Sequence, residues 1–243
     1  MALDPSSRKN LLHNDGERPI SRPHAVFRRL LQRFQSAAER SGKDWLIYNP
    51  YAIYSFHAFA VRDSAAVVRS LERAFPKAKS YVDVGAGSGA HSAELRRRGY
   101  RVIACERSRL GRWMARRQQV DSRPFELAND PPADLRTGFD VAFCFEVAHH
   151  IPPELSESLV RFIAGLAPTI AFTAAPPGQE GIAHINLKPR SYWTGRFENA
   201  GAHHDAEATE TLRSAFVEEG VVAPWLIQNI MGFRAPSAAG AAK

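Results

Sequence analysis

Short apolar segments that alternate with helical stretches restrict the fold of this chain more than any other feature of its sequence. Four such segments are residues 80–84, 101–105, 140–145 and 169–173. Between them, apolar residues recur at the spacing of a helix with one buried face. Strands that alternate with helices in this way form a parallel sheet covered on both sides. We therefore predict an α/β fold with a seven-stranded, mostly parallel sheet and helices on both faces.

Weaker parts of the pattern extend this architecture. Residues 124–128 favour a weak strand, 225–233 favour a last strand, and the apolar spacing of 24–40 predicts an early helix. Polar and small residues dominate both ends, which is typical of loose tails. The predicted units are a flexible tail at 1–23, an N-terminal helical lid or extension at 24–61, a Rossmann-like domain at 62–234 and a flexible tail at 235–243.

The net charge of +7, from 32 Lys and Arg against 25 Asp and Glu, at first suggests an anionic partner such as nucleic acid. Nine arginines and one acid lie within residues 96–117, and the remaining chain has 23 basic and 24 acidic side chains. Most of these arginines fall near predicted helix ends, where cations complement the helix dipole. The charge is therefore weak evidence for nucleic acid, and we expect none as substrate.

Apolar runs, the N-terminal residues and the cysteines predict the compartment of the protein and its relation to membranes. It has no apolar run near 18 residues, so we expect no membrane-spanning helix. Residues 1–20 are polar and charged where a signal peptide needs an apolar core. The two cysteines, Cys105 and Cys144, cannot form a disulfide framework. We expect a cytoplasmic protein, and the sequence does not predict its oligomeric state.

A glycine-rich loop follows the first predicted strand, where residues 83–89 read DVGAGSG. Glycines let the backbone approach a ligand closely, and the helix that follows presents unpaired N–H groups at its positive end. Glu106 ends the next strand, where a carboxylate can accept both hydroxyls of a ribose. The spacing Gly85-x-Gly87-x-x-Ala90 also satisfies a relaxed dinucleotide fingerprint, so a nicotinamide cofactor stays an alternative.

The same loop resembles the first motif of class I S-adenosylmethionine-dependent methyltransferases, in which an acid precedes G-x-G-x-G by two residues. Residues 139–152 read FDVAFCFEVAHHIP and resemble the fourth-strand motif of that family, with His149 where the usual form has Glu. Residues 173–193 resemble the region after strand five in small-molecule and sugar-pathway members. The resemblance covers about residues 62–233 and favours a methyltransferase over a dehydrogenase.

The resemblance implies S-adenosylmethionine as cofactor and a set of contacts to it. The loop at 85–89 would hold the methionine part, Glu106 the ribose, and Asp130 or neighbouring Asn129 the adenine. Asp83 would orient the loop or reach the ammonium group, although a purely structural role in the turn stays open. The predicted cofactor-binding residues are Asp83, Gly85, Ala86, Gly87, Gly89, Glu106, Arg107, Asp130, Phe145 and Glu146.

Three histidines near predicted strand ends are candidate catalytic residues. A neutral imidazole can take a proton from a hydroxyl or an amine near neutral pH. His150 matches the histidine of the family motif, and His149 and His184 are the next candidates. The alternative, that each only bonds backbone, stays open. Ubiquinone-pathway O-methyltransferases, which this motif resembles, use acids here with a divalent ion; because His149 replaces one acid, we predict no metal.

These expectations combine into methyl transfer from S-adenosylmethionine to an oxygen or nitrogen of a small molecule. The alternatives are an RNA methyltransferase that uses the arginine-rich segment, an NAD-dependent oxidoreductase, and a non-catalytic domain of the same fold. The Asn/Asp-Pro-Pro-Tyr/Phe signature of amino-methylating enzymes does not follow the fourth strand, which argues against methylation of a base. Aromatic residues 45–59 precede the domain and either shield the methyl donor from water or pack in the core.

Overall fold

The computed structural model describes residues 50–127, 135, 138–179, 181 and 183–236. The described helices are α1 (Pro50–Ala74), α2 (Ala90–Arg97), α3 (Arg109–Arg117), α4 (Ser156–Ala164), α5 (Arg190–Asn199), α6 (Ala206–Glu218) and α7 (Pro224–Asn229). The strands are β1 (Ser80–Val84), β2 (Arg101–Cys105), β3 (Asp121–Arg123), β4 (Val141–Cys144), β5 (Thr169–Phe172), β6 (His203–Asp205) and β7 (Met231–Arg234). Two short 3₁₀ helices, Ala148–His150 and Pro153–Leu155, follow β4.

One seven-stranded sheet has the order β3-β2-β1-β4-β5-β7-β6. Neighbours among β1 to β5 are parallel, whereas β7 is antiparallel to both β5 and β6. The predicted seven-stranded, mostly parallel, Rossmann-like sheet is therefore confirmed. The strand order reverses between β1 and β4. In open α/β sheets, ligands bind beyond the carboxyl ends of the strands at such a point.

Helices cover both faces of the sheet, and alternate residues of each strand point to opposite faces. On one face, Val82 packs with apolar side chains of α4 and α5, including Trp193. On the other face, Tyr81 packs with those of α1 and α6, including Leu71. All five residues of β1 are buried, as expected for a strand at the centre of a doubly covered sheet.

Two predicted strands were wrong. The edge strand is Asp121–Arg123 rather than 124–128. Residues 225–233 divide into α7 and β7, because Pro224 stands in the first helical turn, a position that proline favours.

The predicted boundary between residues 61 and 62 falls inside α1, which runs without a break from Pro50 to Ala74. The tail at 1–23 and residues 24–49 of the extension lie outside the described residues, as do residues 237–243. Among the residues that are described, no helix is long and apolar enough to cross a membrane.

Four arginines of residues 96–117 lie at the C-terminal ends of helices, as the sequence predicts. Arg96 and Arg97 occupy the last turn of α2, and Arg116 and Arg117 the last turn of α3. Arg97 also forms an ion pair with Glu94. Surface pairs of this kind contribute little to stability, so the helix dipole is the main structural reason for these positions.

Candidate active site

The glycine-rich loop joins β1 to α2 and lies against the end of β2. The backbone N–H groups of Gly85 and Ala86 donate to the Cys105 carbonyl at 2.8 and 3.1 Å. Gly85 has a φ of +76°, and a Cβ atom there would overlap the Val147 side chain. Gly87 has a φ of +55° and faces open space. The loop therefore lies close to the segment after β4. At Gly87 its backbone is accessible at the carboxyl ends of the strands, a region called the mouth of the sheet below.

Glu106 ties this loop to the start of α3. Its Oε2 accepts from the Gly87 N–H at 2.7 Å, and its Oε1 accepts from the Ser108 N–H at 2.6 Å. Burial raises the pKa of this carboxyl, and these backbone donors oppose that effect. Each carboxylate oxygen can accept more than one hydrogen bond, so Glu106 can still accept ribose hydroxyls.

Asp83 lies beneath the loop and is buried. Its Oδ2 accepts from the Ser92 hydroxyl of α2 at 2.7 Å. Burial raises the pKa of Asp83 to about 7, although the Ser92 hydrogen bond lowers it in part. The side chain therefore contacts α2 rather than the glycine turn, and no cation among the described residues forms an ion pair with it.

Glu146 follows β4 with a left-handed backbone, at a φ of +57°. Its N–H donates to the Thr173 hydroxyl at 2.8 Å, and its Oε2 accepts from the Gln179 amide at 3.2 Å. Gln179 in turn accepts from the Asn229 amide at 2.9 Å. The Oε1 atom is buried, and no described residue gives it a well-aligned hydrogen bond. A strained backbone and an unsatisfied buried oxygen are typical of a functional site.

Three carboxyls thus surround the mouth: Asp83, Glu106 and Glu146. Burial raises the pKa of each one. Within the described part of the chain, none of the three belongs to an ion pair. A cationic ligand would favour their ionised forms, so the electrostatics of the mouth suit a positively charged molecule.

The three candidate catalytic histidines form one cluster. His149 and His150 lie in the first 3₁₀ helix after β4, and His184 comes from the connection between β5 and α5. Ring centroids are 4.3 Å apart for His149 and His150, 4.1 Å for His149 and His184, and 5.2 Å for His150 and His184. The structure therefore brings together residues that are 35 positions apart in the sequence.

Backbone groups fix the proton positions of these rings. The Ala175 N–H donates to Nδ1 of His149 at 3.1 Å, so a neutral His149 carries its proton on Nε2. Nδ1 of His150 lies 3.1 Å from the Ala183 carbonyl, and Nδ1 of His184 lies 2.7 Å from the Gln179 carbonyl. Because a carbonyl only accepts, these two neutral rings carry the proton on Nδ1 and a lone pair on Nε2.

Burial and repulsion between the rings favour the neutral forms of His149 and His150. Burial and, to a smaller extent, the neighbouring imidazoles lower the pKa of His149 far below its usual range and that of His150 to about 4. The His149 carbonyl accepts from the N–H groups of Ile185 and Asn186 at 2.9 and 3.0 Å. The connection that carries His184 is thus anchored directly to the helix that carries His149.

The cluster also fits a metal ion poorly. One nitrogen of each ring can be chosen so that all three lie within 4.8 Å of one another. Metal ligation needs a lone pair, however, and His149 uses its lone pair for the Ala175 N–H. The arrangement therefore suits proton exchange better than ligation, and the absence of a metal stays a prediction.

The remaining predicted cofactor contacts include Phe145, which packs in the core, and Arg107, which is on the surface. Phe145 packs against Phe143 and Phe216, at centroid distances of 5.3 and 6.1 Å. Arg107 is exposed, and its carbonyl accepts from Arg112 at 2.6 Å. Asp130 and Asn129 lie outside the described residues.

Several residues at the mouth were not identified from the sequence. His57 of α1 lies 2.6 Å from the Ser88 hydroxyl, measured from Nδ1 to Oγ, and so joins α1 to the glycine-rich loop. Gln179 and Asn229 complete the Glu146 network. The position of His57 within the aromatic segment 45–59 was an available signal, whereas the amides come from parts of the chain without a motif.

A family model described as a methyltransferase domain matches residues 56–171. No curated protein matches the sequence significantly. Among solved structures, the fold is similar to that of CalS10, an amino pentose methyltransferase from Micromonospora echinaspora involved in calicheamicin biosynthesis, solved with S-adenosylmethionine. The TM-score is 0.57 at 14% identity, over 75% of this chain and 97% of that one.

Two further solved structures share the fold. A TehB-like S-adenosylmethionine-dependent methyltransferase from Corynebacterium glutamicum has a TM-score of 0.58 at 13% identity, over 77% of this chain and 100% of that one. The sugar N-methyltransferase KedS8 from a Streptoalloteichus species has a TM-score of 0.53 at 17% identity, over 65% of this chain and 86% of that one. Residues 56–171 therefore match a methyltransferase domain, and the chain has the fold of S-adenosylmethionine-dependent methyltransferases.

Proposed function

We propose that this enzyme methylates an oxygen or nitrogen atom of a small molecule. The observation that carries this proposal is the cluster of three histidines after β4, together with a glycine-rich loop that has three buried carboxyls near it. When bound, S-adenosylmethionine supplies an electrophilic methyl group that an acceptor lone pair displaces from sulfur. The chain must then hold a cation, orient a nucleophile and take up one proton.

The residues under the loop would hold the cofactor. Glu106 would accept ribose hydroxyls, and ionised Asp83 would attract the ammonium group directly or through water. Gly87 would let the backbone approach the methionine part. The three buried carboxyls favour a cofactor with positive charge over a nicotinamide dinucleotide with negative phosphates, which argues against the oxidoreductase alternative.

Acceptor binding would occur on the side of Glu146 and the histidine cluster. Gln179 and Asn229 bring amide groups beside Glu146, which suits an acceptor with hydroxyl or amino groups. The likeness to an amino pentose methyltransferase and to a sugar N-methyltransferase agrees with a polar acceptor of modest size. His150 is the first candidate for the proton acceptor and His184 the second, because the Ala175 N–H occupies the lone pair of His149.

Shielding from water would come from α1, which forms part of the predicted lid. His57 joins this helix to the loop through Ser88, and Phe56 packs on His150 at a centroid distance of 5.8 Å. We further propose a cytoplasmic location, because Cys105 and Cys144 are both buried thiols. The arginine-rich helix ends do not face the histidine cluster through any described contact, so a nucleic-acid acceptor has no structural support.

Calorimetry with S-adenosylmethionine, its demethylated product and NAD tests the cofactor assignment. We expect both methyl-donor ligands to bind and NAD to give no heat; binding of NAD alone would overturn the proposal. A screen of amino sugars, polyols and phenols with isotope-labelled methyl donor then tests the acceptor class. Label transferred to RNA but to no small molecule would refute a small-molecule acceptor.

A further inference from the structure

Four arginines and a tryptophan form an exposed surface on α3 and at the end of α2. They are Arg96, Arg109, Trp113, Arg116 and Arg117, and they are called the α3 surface below. We propose that the α3 surface binds single-stranded nucleic acid, with the arginines on phosphates and one base stacked on Trp113. The proposal goes beyond the proposed function, because it concerns docking and not methyl transfer.

The positive charge of the α3 surface is not balanced within the described protein. Arg96 donates to Oε1 of Gln119, a neutral amide, at 2.7 Å. Arg116 donates to the Ser122 carbonyl, which is also neutral, at 3.3 Å. Over the residues that the structure describes, none of the four arginines forms an ion pair. Within that part of the chain, the α3 surface therefore presents four guanidinium charges without a carboxylate partner.

The helix dipole explains only part of this arrangement. Arg96 lies in the last turn of α2, and Arg116 and Arg117 lie in that of α3, where cations are favourable. Arg109 is the first residue of α3, where a cation opposes the dipole, and the first turn has no acid to compensate it. Folding alone gives no reason for a cation at Arg109, whereas a bound anion would offset this unfavourable interaction.

Helical spacing places four members of the α3 surface in one row. Arg109, Trp113 and Arg117 follow one another at intervals of four residues, and Arg116 lies beside them. The row extends along about 12 Å of α3, at a rise of about 1.5 Å per residue. The Arg117 guanidinium lies 5.9 Å from the centre of the Trp113 ring. Arg117 also lines a groove with Arg96, so the row continues to the end of α2.

Trp113 makes the α3 surface suitable for a base as well as for phosphates. It is 54% exposed. Guanidinium groups bind phosphates through paired N–H donors, and they also stack on aromatic rings. The bases of a single strand can stack on an exposed aromatic ring, and an aromatic ring among cations is typical of proteins that bind single strands. The combination therefore favours a single strand.

Two other anionic partners fit the α3 surface less well. A helix that lies on a membrane buries an apolar face among the lipids. In α3, however, Met114 and Ala115 are buried in the protein, and Trp113 is its one exposed large apolar side chain. The carboxylates of an acidic protein would pair with the arginines, but they have no flat ring to stack on Trp113. A nucleic acid supplies both groups.

The α3 surface is separate from the histidine cluster. The α3 helix joins β2 to β3 at one edge of the sheet, whereas the histidines follow β4, on the other side of β1. A bound strand would hold the enzyme on a nucleic acid, and the methyl acceptor would still be a small molecule. The proposal therefore leaves the proposed acceptor class unchanged.

Fluorescence anisotropy of the full chain with a labelled oligouridylate of about 12 nucleotides tests the proposal. Each phosphate contact of a single strand contributes about −0.7 to the slope of log affinity against log salt, so four contacts predict about −3. The double variant Arg109→Gln and Arg117→Gln should roughly halve this slope. The matched control is the double variant Arg73→Gln and Arg161→Gln, because both arginines are exposed and belong to ion pairs. It should keep the wild-type slope.

The substitution Trp113→Ala separates stacking from charge. Loss of one base–aromatic stack should weaken oligouridylate binding by at least about fivefold. Trp113→Phe keeps a ring and should bind within about twofold of the wild type. Because Trp113 is exposed, we expect both variants to unfold within a few degrees of the wild type. No binding by the wild type, an unchanged affinity in Trp113→Ala, or an equal loss of slope in the control pair would overturn the proposal.

Two further ligands distinguish the classes of partner. Vesicles of phosphatidylcholine and phosphatidylserine test a membrane, and polyglutamate tests an acidic protein surface. We expect both to bind more weakly than oligouridylate and to bind equally well to the wild type and Trp113→Ala. If either binds more tightly than oligouridylate and loses affinity in Trp113→Ala, the assignment to nucleic acid is wrong.

Discussion

Gly111, in the first turn of α3, lies so close to Gly87 that a methyl group added to Gly111 would stand 2.5 Å from the Gly87 carbonyl oxygen. The same methyl would lie 2.9 Å from Cγ of Glu106. A helix residue outside the glycine motif therefore sets the position of both the loop and the predicted ribose acid.

We expect Gly111→Ala to weaken S-adenosylmethionine binding by about tenfold or more, because the loop and Glu106 must move apart and overpacking costs about 1–3 kcal/mol. Calorimetry and thermal unfolding measure the two effects. The control is Gly195→Ala in α5, where a Cβ atom meets nothing within 4 Å; this substitution should raise stability slightly. Equal cofactor affinity in both variants would contradict the role of Gly111.

Gly87→Val should abolish cofactor binding, because the new side chain would enter the open space that the loop presents to the ligand. The backbone φ of +55° adds a cost of about 1 kcal/mol for any L side chain. Gly220→Val carries the same kind of strain, at a φ of +78° with open space around it, far from the loop. If both variants lose the same stability but retain the cofactor, the loop assignment is wrong.

The pH dependence of stability reports on Asp83. Its pKa is about 7 when folded and 3.8 when unperturbed, so between these values the unfolded chain ionises and the folded chain does not. The folded state then binds more protons, and the free energy of unfolding falls as pH rises from about 4 to 7, by up to about 4 kcal/mol.

We expect Asp83→Asn to flatten this slope and to unfold at a higher temperature than the wild type at pH 8. Cofactor affinity should respond in the opposite sense, rising with pH through 7 in the wild type, since the ionised carboxylate attracts the ammonium group. A wild-type stability that does not change between pH 5 and 8 would show that Asp83 is ionised throughout.

Ser92→Ala removes the hydroxyl that donates to Asp83. Because that hydrogen bond favours the ionised form, its loss should raise the pKa of Asp83 by about one unit and move the pH profile of cofactor binding upward by the same amount. The measurement is calorimetric affinity from pH 6 to 9. Ser64→Ala, in the α1 helix, is the matched control because its hydroxyl bonds only a local carbonyl, that of Val61.

The central strands were predictable because they are buried apolar runs, and β1 and β2 have the predicted bounds. The edge strands were not. Residues Asp121–Arg123 and His203–Asp205 are polar three-residue strands whose pairing depends on neighbours rather than on their own propensity. An apolar stretch such as 225–233 has no period that distinguishes strand from helix at short length.

Part of the candidate site could also be predicted from the sequence, and part could not. The glycine loop and Glu106 are local features joined by one strand–helix–strand unit, so their spacing already predicts their contact. The meeting of His184 with His149 depends on how the connection after β5 folds back onto the first 3₁₀ helix, and Gln179 meets Asn229 across 50 residues of sequence. Such contacts require the tertiary structure.

The insertion of β7 between β5 and β6 has a consequence for biosynthesis. Among the described strands Met231–Arg234 leaves the ribosome last, yet it pairs with Thr169–Phe172 in the interior of the sheet. Until then β5 has an open edge that other chains can pair with, a known aggregation hazard. Asn229, which bonds Gln179, lies two residues before this strand. We therefore expect nascent chains to expose this edge of β5 until β7 pairs with it.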